Sequence, residues 1–215
     1  MAYERAVLCM HGMGNPEEED FRKEIAQLTQ ALAERLPVSQ MAKIYIPPAG
    51  IFYSEITQDA EDKVWDKMST DGGLDTGIIR HATVNKLRQF ILSGFSDATA
   101  FTGFNGAATE QQYVKAQNKI RDALVDIFKV CGKTVPVVII SQSLGSQILS
   151  NYLWDAQVSR LPRLPGQDAI KTQGDIWTGY HPAADIDFLQ LTSLTTWFST
   201  GCNIPVFVSG FKNVR

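Results

Sequence analysis

The chain has 215 residues, enough for one domain with a buried core. Apolar residues make up 44% and charged residues 20%, the usage of an ordinary globular protein, and the formal net charge is −3. With Lys and Arg scattered rather than clustered, this excludes a basic field for nucleic acid or an anionic membrane surface.

Cys9, Cys131 and Cys202 are odd in number and far apart, without metal-ligand or disulfide-framework spacing. This usage fits a reducing, cytoplasmic compartment. Five apolar residues follow Glu4 and Arg5, too short a run for a signal-peptide core or a membrane span. Ala6-Val7-Leu8-Cys9-Met10 is better read as a strand. Its hydrophobicity is continuous rather than alternating, which points to burial on both faces of a parallel sheet. The strand stops at His11-Gly12-Met13-Gly14.

Asn15, Pro16, Glu17 and Glu18 then supply a cap, a first-turn proline and acids for the positive end of a helix. The acids could also delay the helix to about Asp20. Phe21, Ile25, Leu28, Leu32 and Leu36 give it one apolar face. A second strand is expected over Ala42–Ile46, stopped by Pro47 and Pro48. Two amphipathic helices, near Glu55–Met68 and Thr76–Leu92, and a Gly-containing loop from Gly94 to Gly106 are expected next. Together they form a helical, lid-like insertion around 52–108 within a single domain spanning 1–215.

Thr109–Val130 reads as a long helix with Tyr113, Ala116, Ile120, Leu124 and Ile127 on its apolar face, closed by Gly132. The apolar run Val135–Ile140 predicts a strand, and Leu144 to about Ala156 a helix. Leu161–Gly174 reads as a connection. Leu194–Ser199 and Ile204–Ser209 read as further strands. Strands alternating with helices imply an α/β fold with a mostly parallel sheet and right-handed connections.

Between the strand and the helix lies Ser141-Gln142-Ser143-Leu144-Gly145-Ser146. A strand, a sharp turn presenting one serine and a following helix make a nucleophile elbow. The common pattern is G-x-S-x-G; here Ser141 replaces the first glycine, while Gly145 keeps room for the helix. Ser143 is the expected nucleophile, on strained backbone. His11-Gly12-Met13-Gly14 after the first strand suits an oxyanion loop. The Met13 amide and the Leu144 amide at the helix start would be its two donors. His11, Gly12 and Gln142 are the expected substrate contacts. Read otherwise, the same glycines form a phosphate loop or a plain turn. The dinucleotide pattern fails, because its third glycine would fall at Glu17.

Val7–Asn15 and Val137–Ser146, with Thr200–Pro205, resemble the α/β-hydrolase family in its lipase- and esterase-like branch. The resemblance implies a three-layer sheet fold lacking the first two antiparallel strands, a Ser-His-acid triad and ester hydrolysis. No metal or organic cofactor is implied. The expected partner is a small-molecule ester or an acyl, lipid-like substrate, which the resemblance does not identify further.

A serine needs a base, and the family order is serine, acid, histidine. Only His181 follows Ser143, yet it precedes the strand Leu194–Ser199 instead of following the last strand. It reads either as the base or as a surface-loop residue. His81 falls on a polar helix and reads as a surface residue. Asp168, Asp175, Asp185 and Asp187 are available acids without a distinctive context. The expectation is that the family's last strands, with the acid and histidine loops, are missing. Such a chain would leave an open sheet edge near its C-terminal strand. Two further readings stand beside the hydrolase. One is a hydrolase-fold protein that binds without cleaving. The other is a nucleotide-binding domain using Gly12 and Gly14.

The aromatics Phe52, Tyr53, Trp65, Phe90, Phe95, Phe101 and Phe104 are either a lid over the site or packing residues.

Overall fold

The computed structural model describes residues 2–12, 17–56, 106–160, 176 and 183–201. Strand β1 spans Arg5–Met10, and all of it beyond Arg5 is buried, as its continuous hydrophobicity requires. Helix α1 covers Glu18–Arg35 and opens on Glu18, Glu19 and Asp20 at its positive end. Glu17 is its cap residue, so the helix starts two residues later than an Asn15 cap with Pro16 in the first turn would place it; Asn15 and Pro16 themselves lie outside the described residues. Phe21 and Ile25 are buried, and Leu28 packs beside them.

The second strand is shorter than its sequence suggests. A four-residue helix α2 (Val38–Met41) precedes the segment, Ala42 is its C-terminal cap, and β2 is only Ile44–Tyr45. Lys43 is spent on the turn: its N–H bonds the Gln40 carbonyl, and its own carbonyl accepts the Glu4 N–H. Beyond the prolines, Gly50 turns at φ +57° and Ile51 donates to the Cys9 carbonyl at 2.8 Å. This return carries Phe52 and Tyr53 onto the end of β1. A short 3-10 turn, Ser54–Ile56, follows.

Helix α3 spans Gly106–Cys131, with Tyr113, Ala116, Ile120, Leu124 and Ile127 all buried as the periodicity implies. Gly132 ends it in the left-handed region (φ +82°), donating its N–H to the Phe128 carbonyl. Strand β3 (Val137–Gln142) leads into helix α4 (Leu144–Arg160). A helix absent from the sequence expectations, α5 (Ala183–Leu189), precedes β4 (Leu194–Thr200).

The sheet order is β2-β1-β3-β4, with every pair parallel. The chain leaves β1 toward β2 on one side and leaves β3 toward β4 on the other. Right-handed crossovers running in opposite directions send their helices to opposite faces. The core follows this rule. Cys9 packs with Phe21 and Ile25 of α1, whereas Ala6, Leu8 and Met10 join α3, α4 and α5. Helices thus cover both faces of a parallel sheet, an α/β architecture. Among the described residues β4 forms one edge, with Phe198 55% exposed. The expected strand over 204–209, the 161–174 connection and most of the expected 52–108 insertion lie outside the described residues. Residues 52–53 pack inward: Tyr53 is buried, and Phe52 joins the α1-side cluster.

Candidate functional site

Strands β1 and β3 are neighbours, with Met10 level with Ser141. Their carboxyl ends therefore lie side by side, while the chains leaving them diverge. In open parallel sheets such a divergence opens a crevice where ligands bind. His11-Gly12 emerges on one side of it and Ser143 on the other.

The two loops touch closely. A Cβ at Gly12 would lie 3.2 Å from both the Gln142 carbonyl oxygen and Ser143 Cβ. At Gly145 a Cβ would come within 2.2 Å of the His11 carbonyl oxygen. Glycine at both positions lets the start of α4 and the end of β1 meet backbone to backbone.

Ser143 adopts φ +46°, one of two non-glycine residues with positive φ among those described. This costs about 1–2 kcal/mol for a residue with a side chain. Two bonds hold it there. The Ser143 N–H donates to the Thr200 carbonyl at 2.8 Å, extending the β3–β4 ladder by one residue. The Ser143 carbonyl accepts the Ser146 N–H at 3.0 Å. Its side chain is half-buried and Gln142 is exposed. The Leu144 N–H is the first of α4 and has no intrahelical acceptor.

The serine at 141 is accommodated by hydroxyl chemistry. Trp197 Nε1 donates to Ser141 Oγ at 2.7 Å, Ser141 Oγ and Ser146 Oγ are 2.9 Å apart, and Ser199 donates to Ser146 Oγ at 2.7 Å. Ser141 and Ser146 are fully buried, so this chain satisfies groups that would otherwise be costly inside. It ties β3, α4 and β4 together directly beneath Ser143.

His11 is 4% exposed. Its ring stacks on Tyr53 with centroids 4.0 Å apart, flanked by Phe52 and Phe21. Nδ1 donates to the Gly12 carbonyl at 2.7 Å, and Nε2 accepts the Tyr53 N–H at 3.0 Å. Both nitrogens are engaged inside the protein. The expectation that His11 contacts substrate therefore narrows to its backbone.

Burial pushes the His11 imidazole from 6.5 down to about 4, against the pull of the Gly12 carbonyl bond toward the charged form. Unfolded, the ring titrates near the ordinary value. Below about pH 6.5 the unfolded chain takes up a proton that the folded chain refuses, so stability falls as the pH drops toward 4. Fully developed, this ring accounts for roughly 3 kcal/mol. Urea unfolding at about pH 7 and about pH 4.5 will show that fall, and His11→Asn will show less of it. An equal fall in both proteins would mean that His11 protonates freely in the folded state.

Several expected site residues lie outside the described residues: Met13, Gly14, His81, His181, Asp168 and Asp175. Asp185 falls within α5, and Asp187 is exposed near the end of that helix. Among the described residues no histidine or carboxylate hydrogen-bonds Ser143, and no three His, Cys, Asp or Glu side chains group as metal ligands would. Cys9 and Cys131 are free, and burial pushes the Cys9 thiol up to about 11. No helix among those described is long and apolar enough to cross a membrane.

Sequence reasoning missed Thr200, Trp197 and Ser199 as supports of the Ser143 turn, because they arrive on a parallel strand over fifty residues away. No family model matches this chain, and neither a curated protein nor a solved structure matches it.

Proposed function

We propose that this chain is a serine hydrolase of the α/β-hydrolase type, acting on carboxylic esters or related acyl groups through Ser143. The observation that carries this reading is the left-handed backbone of Ser143 (φ +46°) at the β3–α4 junction, pressed against Gly12 of the neighbouring loop. Strain of this kind is retained where surrounding structure and function require it.

In the reaction, Ser143 Oγ attacks the acyl carbonyl carbon and its proton passes to a base. The alcohol leaves with a proton returned by that base, and water then releases the acid. His181 is the base this reading assigns, as the one histidine after Ser143 in the chain. The Leu144 N–H and the Met13 N–H are assigned to the oxyanion, where the start of α4 also favours negative charge. Gly12 and Gln142 border the acyl group. The reaction requires neither a metal nor an organic cofactor.

Turnover of p-nitrophenyl esters of increasing acyl length tests the reading and ranks small esters against lipid-like ones. Ser143-dependent hydrolysis supports it. Equal hydrolysis by wild type and Ser143→Ala sinks it.

A second reading is a hydrolase-fold protein that binds without cleaving. Its ground is that a fold by itself does not confer activity. Saturable binding of an acyl ester without turnover selects it. Binding of inorganic phosphate at Gly12 without ester turnover would instead favour the nucleotide-binding reading.

A further inference from the structure

We propose that Trp197 and Ser199 of β4 are positioning residues for Ser143: through the buried hydroxyls of Ser141 and Ser146 they hold the turn that presents the nucleophile. The proposal rests on the serine-hydrolase reading for its effect on turnover, and adds to it the side chains that keep the nucleophile's backbone in place.

The turn needs holding because it is strained. At φ +46° a serine sits in backbone that it would leave if its peptide groups were free. Two bonds oppose this. The Ser143 N–H donates to the carbonyl of Thr200, the last residue of β4, and the Ser143 carbonyl accepts the Ser146 N–H. The first bond is anchored in the sheet. The second is anchored only in the opening turn of α4, where helix ends are loosest. Ser146 therefore needs a support of its own.

Its side chain supplies that support. Ser146 Oγ accepts the Ser199 hydroxyl at 2.7 Å and lies 2.9 Å from Ser141 Oγ. Ser141 Oγ accepts Trp197 Nε1–H at 2.7 Å. An indole N–H can only donate, so the direction of that bond is fixed. Ser141 is level with Ser199 in the parallel register, and Trp197 stands two residues earlier on β4. Alternation along the strands puts all three side chains on the α4 side of the sheet.

Burial makes the arrangement consequential. Ser141 and Ser146 are fully buried, so water does not replace a lost partner and the loss is felt in full. A glycine at 141, the common residue of such an elbow, would remove the middle member of the chain. Both peptide groups of Ser143 are thus held from β4, one directly by Thr200 and one through Ser146. Trp197 and Ser199 act on the nucleophile only through that second route.

Trp197→Phe keeps an aromatic ring and removes the N–H. Ser199→Ala removes the other donor, and Ser199→Thr restores it. Amide hydrogen exchange measured by NMR reads the turn directly, whatever the activity. In Trp197→Phe and Ser199→Ala the Ser143 and Ser146 amides should exchange about 10-fold faster, the scale of one lost buried hydrogen bond, while those of Ile120 and Leu124 keep their rates. With p-nitrophenyl acetate, kcat should fall about 10-fold in both variants with KM nearly unchanged, because a misplaced nucleophile slows the reaction without weakening binding. Ser199→Thr should lie close to wild type in both measurements. Wild-type exchange at Ser143 and Ser146 in both variants overturns the proposal, as does an equal rise at Ile120 and Leu124. Faster exchange with unchanged kcat, or Ser199→Thr behaving like Ser199→Ala, overturns it as well. Faster exchange in a protein whose wild type shows no Ser143-dependent turnover overturns the hydrolase reading instead, and supports the hold on the turn.

Discussion

Gly145→Ala is expected to destabilise the protein by about 3 kcal/mol or more, the upper range of overpacking costs. The added methyl would lie 2.2 Å from the His11 carbonyl oxygen and 3.1 Å from Met10 Cγ. The first obstacle is backbone, which cannot swing aside as a side-chain end can. Either α4 lifts from the sheet or the His11-Gly12 loop retreats, and both separate Gly12 from Ser143. Ester turnover should therefore fall together with stability. Gly132→Ala is the control. Its backbone has φ +82° but nothing lies within 4 Å, so only conformational strain of about 1 kcal/mol applies. Urea unfolding that ranks the two substitutions equally would show that close approach is not the reason for glycine at 145.

Ser143→Ala should reduce acyl-ester turnover by at least about 10^4-fold, the scale on which removal of a nucleophile is felt. Stability should hardly change, because the bonds that fix this turn come from backbone groups of Ser143 and not from its hydroxyl. Ser143→Gly should also be inactive but more stable by about 1 kcal/mol, since glycine occupies φ +46° without strain. A residue whose removal stabilises the fold while abolishing turnover is retained for function. A less stable Ser143→Gly would mean that the turn stores no strain at this residue.

Much of the scaffold was legible because its signals are local. The buried run at residues 6–10, the spacing of Tyr113, Ala116, Ile120, Leu124 and Ile127, and the stop at Gly132 each follow from a few neighbouring residues. The Ser143 turn was legible for the same reason: an apolar strand, a small-residue turn and Gly145 occur within ten positions. Less was readable where a segment is shaped by what it meets. β2 starts only at Ile44 because Ala42 caps the helix Val38–Met41 and Lys43 serves a turn against Glu4. Helix α5 is brief, and its burial depends on contact with α3 and α4.

Ser141 read as a departure from the common elbow until Trp197, Ser146 and Ser199 supplied partners for its hydroxyl. His11 read as a substrate contact from its place beside Gly12. Its inward turn was not readable, because the ring that holds it, Tyr53, arrives from beyond the second strand.

The most direct test of the central claim is the intact mass of the protein after reaction with a fluorophosphonate, followed by mapping of the modified peptide. One adduct per chain on Ser143, absent from folded Ser143→Ala, is the expected result. A folded wild-type protein that stays unmodified, or carries the adduct on another residue, would contradict the assignment of Ser143 as nucleophile.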